Sequence, residues 1–387
     1  MTVTVIKNVQ LHVTSEEFVD MDSVAIMEHR IVPVTDAILE DGSAEEIDGG
    51  GCHLCPGFID LLVNGCGGVS FAQTPSVETL DTMRRWLTAH GTTVFVPTMI
   101  SGPRENLSKG LAAVAEFKEK HPTMCPGMHM EGPFISTNHS GFQPTGYIRA
   151  FAQQDLEFLA EFRDAIAYMT IAPEIVRPKG IMDLLALHIR LSLGHTAITY
   201  QEAMHSFKAG INNVTHLFNG MKPIIGREPG LAGATLQSEK AFASVIADGR
   251  HVHPSLIQFA HKMLNDRFYI VSDSQAVAGM SKAPASFVLG GTEIFVDHKR
   301  GLIDGKGAYA GTTMTMFDGV RYLVQHCGFE LEDALTAATY TPARVLGLTD
   351  RGRIEGGFIA DMVLFDDEFK IIRVFQNGYM KQSIELF

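Results

Sequence analysis

The chain has 387 residues, of which 45% are apolar, enough for a large core and a length that suggests two or three domains. It carries 31 Lys and Arg against 44 Asp and Glu, a net charge of −13. That acidity argues against a general nucleic-acid binder, which needs a basic face to release counterions, and no apolar run approaches the roughly 18 residues of a membrane helix.

Read from the N-terminus, Met1-Thr2-Val3-Thr4-Val5-Ile6-Lys7 alternates like a strand and has no secretory hydrophobic region. The stretches 9–13 and 29–34 are also β-rich, and Asp48-Gly49-Gly50-Gly51 closes the section. Cys52 and Cys55 have C-x-x-C spacing, but Cys66, Cys125 and Cys327 are scattered and supply neither a second pair nor a thioredoxin-like context. Buried or bystander thiols in a reduced cytoplasm are the expectation.

The middle of the chain alternates differently. Short apolar runs at 57–63, 92–97, 125–130, 167–171, 191–194, 213–215, 243–247 and 268–272 read as buried strands. Helical stretches at 77–90, 106–120, 181–188, 200–208 and 255–264 lie between them. Eight strand–helix units over about 300 residues fit an α/β fold of the (β/α)₈ TIM type. A doubly wound open sheet is the alternative. It would normally carry G-x-G-x-x-G after its first strand, whereas Gly65-Cys66-Gly67-Gly68 brings the third glycine one position early. The stretch 280–300 reads as an insertion or a lid after the eighth strand. The runs 360–365 and 371–375, with Asn377-Gly378 as a turn, return to β patterning, so both chain ends are expected to build one small sheet domain.

In such a barrel the chemistry sits at the C-terminal ends of the strands. The third strand ends in His129-Met130-Glu131-Gly132-Pro133, and the fifth runs into Gly194-His195-Thr196. The sixth reaches Thr215-His216-Leu217-Phe218-Asn219, the seventh Asp248-Gly249-Arg250-His251, and the eighth Ser272-Asp273. Each has a plain structural reading: a hydrogen-bonded His, an N-cap Asp, an Asn219-Gly220 turn. Together they place Glu, His, His, His and Asp at one mouth. A Glu with two His suits a borderline divalent cation such as Zn²⁺ with positions left open for water, and a neighbouring carboxylate can move that water's proton.

These residues resemble the N-acetylglucosamine-6-phosphate deacetylases of the amidohydrolase superfamily. The matching stretches run in order along nearly the whole chain: Pro56-Gly57-Phe58-Ile59-Asp60 with Asn64-Gly65-Cys66-Gly67-Gly68, His129-Met130-Glu131-Gly132-Pro133-Phe134, Thr215-His216-Leu217-Phe218-Asn219-Gly220-Met221, Gly226-Arg227-Glu228-Pro229-Gly230, Ala247-Asp248-Gly249-Arg250-His251 and Ser272-Asp273, then Gly357-Phe358-Ile359-Ala360-Asp361. The resemblance implies a barrel over 53–354 and a β-sandwich from 1–52 plus 355–387. It implies one divalent metal ion per subunit, Zn²⁺ by expectation, on Glu131, His195 and His216, with Asp273 as catalytic acid/base. Asn219, Gly220, Arg227 and His251 would contact the sugar phosphate, with Phe142, Gln143, Tyr309, Ala310 and Gly311 also on the substrate side. Arg227 would reach the neighbouring subunit's site, which implies a homodimer; Arg suits that task because its planar fork matches phosphate oxygens. The implied partner is an amino sugar phosphate, with no nucleic acid and no membrane, and the implied place is the cytoplasm.

Two positions depart from the pattern. Where many superfamily members have H-x-H after the first strand, this chain has Leu62 and Asn64, so one metal is expected rather than two. Where the family usually has a His that polarises the substrate carbonyl, alignment on Gly141 puts Gln143, which can donate a hydrogen bond but cannot be cationic. Three functions stay open: hydrolysis of N-acetylglucosamine 6-phosphate, hydrolysis of N-acetylgalactosamine 6-phosphate or another N-acyl sugar phosphate, and a catalytically silent sugar-phosphate-binding homologue.

Overall fold

Eight parallel strands follow one another around a single sheet in chain order. They are β1 Phe58–Val63, β2 Thr92–Ile100, β3 Met128–Glu131, β4 Ile166–Ile171, β5 Leu191–Leu193, β6 Asn213–Val214, β7 Phe242–Ile246 and β8 Phe268–Val271. Helices cover the outside, so nearly every strand residue is buried and the strands read as continuous apolar runs. The ring closes between β8 and β1, where Asp273 N–H donates to the Leu62 carbonyl at 3.0 Å and Asn64 N–H donates to the Ser274 carbonyl at 3.0 Å. Sequential order with a closed seam makes this a (β/α)₈ barrel and removes the doubly wound alternative. The structure, a computed structural model, describes residues 3–19, 21–35, 38, 43–297 and 299–381. Parts of the expected terminal sheet domain (1–2, 20, 36–37, 39–42 and 382–387) and of the expected insertion (298) lie outside the described residues.

Local chemistry explains where the elements differ from expectation. β3 starts at Met128 rather than at 125, because Pro126 has no N–H to donate and Gly127 sits at φ 151°. Glu131 is therefore the last residue of β3. β2 runs on through Pro97 to Ile100; the pairing with β1 shifts register between Phe95 and Pro97, the kind of irregularity that lets a strand hold a proline. The helix expected from 181 is preceded by a short helical turn from Pro173, separated from it by a break at Arg177. Pro178 pushes Arg177 out of the helical region to φ 66°, and that break hides the first turns from a periodicity reading. Helices Met316–Cys327, Leu331–Ala338 and Tyr340–Leu346 complete the outer layer after β8.

Both chain ends form a β-sandwich beside the barrel. Arg30–Val32, Ser23–Met27, Val3–Lys7 and Glu45–Asp48 make one sheet. Gln10–Leu11, His53–Pro56, Met362–Phe365, Ile371–Gln376 and Tyr379–Lys381 make the other. Ile6, Val24, Ile26, Ile31, Leu54, Met362, Leu364 and Phe375, drawn from both sheets, bury one another. The hairpin at Asn377-Gly378 has φ of 49° and 77°, the paired positive values that favour this dipeptide. The 280–300 insertion contributes to a three-stranded antiparallel sheet of Ser286–Leu289, Thr292–Asp297 and Gly301–Asp304. Its Leu289, Ile294 and Leu302 pack with Ile100 at the end of β2 and with Phe142.

Candidate metal centre at the barrel mouth

The site is built from the turns that leave the strands. His195 lies two residues past β5, His216 two past β6 and Asp273 two past β8, and all three have positive φ: 47°, 34° and 47°. Such conformations cost non-glycine residues of order 1–3 kcal/mol each and persist only where neighbours over-determine them. Here the neighbours are visible. Ser136 N–H donates to the His195 carbonyl at 2.8 Å, and the Ser244 hydroxyl accepts from His216 N–H at 2.8 Å. Asp273 is held from both sides, its N–H on Leu62 and its carbonyl accepting from Thr312 N–H at 2.8 Å.

These turns bring three ligand atoms together. His195 Nε2 lies 3.1 Å from Glu131 Oε1, His216 Nε2 lies 3.0 Å from the same oxygen, and the two Nε2 atoms are 3.1 Å apart. The rings stand at 89° to each other, and all three side chains are buried. The far nitrogens fix the tautomers: His195 Nδ1–H donates to the His139 carbonyl at 2.6 Å, and His216 Nδ1–H to the Asn219 carbonyl at 3.2 Å. With each ring's proton placed on Nδ1, both Nε2 atoms and the carboxylate oxygen are acceptors. Three acceptors about 3 Å apart repel one another unless a cation shares them, and backbone carbonyls behind ligating imidazoles are the usual support for such a set. The donor set, one carboxylate and two imidazoles, fits a divalent ion of zinc type with open positions for water.

Protons on Nε2, in place of a cation, would relieve the same repulsion, and the proton affinities reflect that coupling. Burial works against charge on Glu131, yet the two imidazoles hold its carboxyl well below the usual range. His195 is desolvated too, but contact with Glu131 raises its basicity above the ordinary value. Asp273 is pushed well above the usual carboxylate range, first by burial and then by the charge of Glu131. Asn64 Nδ2 opposes that shift by donating to Asp273 Oδ1 at 2.7 Å. Below the cluster, burial drives His129 down to about 3, so it stays neutral between the Thr98 and Thr170 hydroxyls, stacked on Tyr168.

The other expected residues distribute as follows. Gly220 has φ 59°, and a Cβ there would lie 2.9 Å from His195 Nδ1, so only glycine fits beside that ring. Asn219 acts through its backbone carbonyl on His216. Gly311 has φ 71° and passes within 2.4 Å, at its Cβ position, of the Asp273 carbonyl, while Ala310 is buried and anchored on the Leu302 carbonyl. His251 Nδ1–H donates to Asp248 Oδ2 at 2.8 Å, and its ring centre lies 4.8 Å from that of Tyr309. Phe142 packs into the core of the three-stranded insertion sheet, and its carbonyl accepts from the Thr292 hydroxyl. Gln143 is buried at the end of β2, with its Nε2 unpaired among the described residues. Arg227 is exposed on a turn flanked by exposed Ile224 and Ile225.

Several supporting residues were not foreseen in these roles. Asn64 supports Asp273, and Asp248 orients His251. Glu174 receives Thr196 Oγ1–H at 2.6 Å and Ala197 N–H at 2.7 Å, pinning the turn after His195. The His139 carbonyl could not have been found, since a backbone acceptor leaves no mark on the residue type. Cys55, Cys66, Cys125 and Cys327 are buried, and all five cysteines are free.

A barrel with one Glu and two His converging at its strand ends, in a set that could hold a metal ion, and a buried aspartate beside them has the architecture of a metal-dependent hydrolase. The chain belongs to the amidohydrolase family, whose model matches residues 53–381. It is 36% identical to an N-acetylglucosamine-6-phosphate deacetylase of Haemophilus influenzae over 90% of this chain and 92% of that protein. It is 32% identical to an N-acetylgalactosamine-6-phosphate deacetylase of Shewanella, over 86% of this chain and 84% of that one. Among solved structures, the N-acetylglucosamine-6-phosphate deacetylase of Pasteurella multocida superposes with a TM-score of 0.91 at 32% identity, covering 98% of this chain and all (100%) of the other.

Proposed function

We propose that this chain is a metal-dependent amide hydrolase that converts N-acetylglucosamine 6-phosphate into glucosamine 6-phosphate and acetate, in amino sugar catabolism. The observation that carries the reading is the meeting of Glu131 Oε1, His195 Nε2 and His216 Nε2 at 3.0–3.1 Å, with each imidazole's other nitrogen committed to a carbonyl. Glu131, His195 and His216 would hold one divalent ion, Zn²⁺ by its donor set. When bound, that ion supplies Lewis acidity, which lowers the pKa of water and polarises a carbonyl.

The chain's own residues do the rest. Asn64 occupies Oδ1 of Asp273, which leaves Oδ2 to take the proton of the attacking water. The raised proton affinity of Asp273 suits a group that must then return that proton to the leaving amine. Gln143 Nε2 donates to the acetyl oxygen as charge develops there. His251, oriented by Asp248, and Arg227 of the neighbouring copy bind the sugar phosphate, so the working unit is a homodimer. The barrel over 53–354 carries the chemistry and the segments 1–52 and 355–387 its companion domain. The place is the cytoplasm, in keeping with five free thiols. Among the described residues no helix is long and apolar enough to cross a membrane.

A second substrate has specific support. The Shewanella relative is named for N-acetylgalactosamine 6-phosphate, which differs only at C4, and Gln143 departs from the family's usual His. Metal analysis with an amine-release assay on both acetylated hexosamine 6-phosphates decides between them through the ratio of kcat/KM values. Asp273→Asn is expected to abolish turnover on either; wild-type-like rates in that variant would remove Asp273 from the mechanism. Purified protein without metal or affinity for it would favour a silent homologue.

A further inference from the structure

We infer that Ser101 is a positioning residue, which locks the Gln143 side-chain amide with its oxygen turned inward and its NH₂ group reserved for the acyl oxygen of the substrate. The inference rests on the deacetylase reading above and adds a residue to it. Ser101 follows β2 directly, and the preceding Ile100 is paired in register with Glu131. Two donors of Ser101 converge on one atom. Its backbone N–H reaches Gln143 Oε1 at 3.0 Å and its hydroxyl reaches the same oxygen at 2.7 Å.

An amide's two ends have nearly the same shape, so only surrounding donors and acceptors decide which way it faces. Reversing Gln143 would set its NH₂ against a backbone N–H that cannot change role. The backbone N–H therefore sets which way the oxygen faces, and the hydroxyl fixes how firmly the amide is held there. Nε2 is then left as a buried donor without a partner among the described residues, although Gln143 is only 3% exposed. Native interiors seldom leave such a group unsatisfied, and where they do a ligand commonly completes it.

The surroundings set this side chain beside the backbone that carries the candidate ligands. Gly132, which follows Glu131, has φ 100°, and a Cβ on it would lie 2.3 Å from Ser101 Oγ and 3.5 Å from Gln143 Oε1. The same loop holds His195 through the His139 carbonyl, and the Cβ position of Gly141 lies 3.7 Å from His195 Cε1. Ser101 and Gln143 are thus packed on the backbone between one ligand and the loop that orients another. Gln143 stays neutral at every pH, so its orientation, not its protonation, determines whether it donates.

A double-mutant cycle tests this. Ser101→Ala should lower kcat/KM about tenfold, mostly in kcat, the size expected for loosening one transition-state donor. In a Gln143→Ala enzyme the same Ser101→Ala change should cost less than about twofold, because the group it acts on is gone. Equal losses in both backgrounds, or no loss in the first, overturn the inference. A second measurement needs no turnover. The Nε2 proton resonances of Gln143, identified as the pair missing from Gln143→Ala protein, should shift in metal-loaded Ser101→Ala protein; unchanged resonances also overturn it. Wild-type enzyme that releases no amine from either sugar phosphate would sink the deacetylase reading alone, and the resonance test would still decide the role of Ser101.

Discussion

Asn64 and Asp273 meet across the seam that closes the barrel, with Asn64 Nδ2 donating to Asp273 Oδ1 at 2.7 Å and both side chains buried. The contact sets the proton affinity of Asp273, because burial and the charge of Glu131 push it up while Asn64 pulls it down. Removing the donor must therefore raise that pKa further. An acid/base that first accepts a proton works only in its ionised form, so in Asn64→Ala the acidic limb of kcat/KM should move to higher pH. The activity lost should be greater at pH 6 than at pH 8. A limb that stays in place would show that the two residues are not coupled.

Metal removal should abolish amine release, and Zn²⁺ should restore it. Stability reports the same event independently. An ion at about 100 times its Kd stabilises the fold by about 2.7 kcal/mol. For a chain of this length that corresponds to a Tm change of about 3 °C. Glu131→Gln keeps the shape but removes the anionic ligand. It should bind no stoichiometric metal and should melt at the same temperature with or without Zn²⁺. Calorimetric scans of the four samples check this, and a zinc-dependent Tm in Glu131→Gln would contradict the assigned cluster.

Asp361 offers a pH prediction away from the site. It is buried in the terminal sheets and accepts from Asn377 N–H at 2.6 Å; burial raises its pKa from 3.8 to about 6, against the pull of Asn377 and Arg351. A carboxyl whose folded pKa is raised binds more protons folded than unfolded between those two values. Stability is therefore lost as pH rises through that window. The shift corresponds to about 3 kcal/mol. Asp361→Asn keeps the Oδ1 acceptor and removes the titration. Its stability relative to wild type should improve between pH 4 and 6 and level off above, as read from urea midpoints. A difference independent of pH would refute the shift.

How far the sequence reaches is clear from particular residues. All eight barrel strands were legible because a parallel sheet covered on both faces turns each strand into a short apolar run. Glu131, His195, His216 and Asp273 stood out because they follow those runs at once, where packing demands no polar group. What stayed hidden was the second layer. Asn64 registered only as a missing His, and Ser101 as nothing, because each acts on a residue far away in the chain: Asp273 for one, Gln143 for the other. The short helical turn at Pro173 was masked by the break at Arg177, just before Pro178. Positive φ at His195 and His216 could not be read either, since backbone strain at a site is imposed by neighbours and not by the strained residue.

Arg227 gives the sharpest test of the homodimer. It is exposed on a turn between Ile225 and Glu228, which bridge each other. If its guanidinium serves the neighbouring copy, Arg227→Ala and Asp273→Asn disable opposite halves of one shared site. Each variant alone should then be nearly inactive, the first chiefly through KM for the phosphorylated sugar. Refolded together in equal amounts, half of the dimers would be mixed, and each would hold one site with both residues intact. Activity should recover to about a quarter of wild type, as isologous pairing of two copies requires. Because an unphosphorylated acetylated sugar has nothing for Arg227 to hold, the Arg227→Ala penalty should shrink on that substrate. No recovery on mixing, with mixed dimers shown to form, would place Arg227 at its own subunit's site or at none.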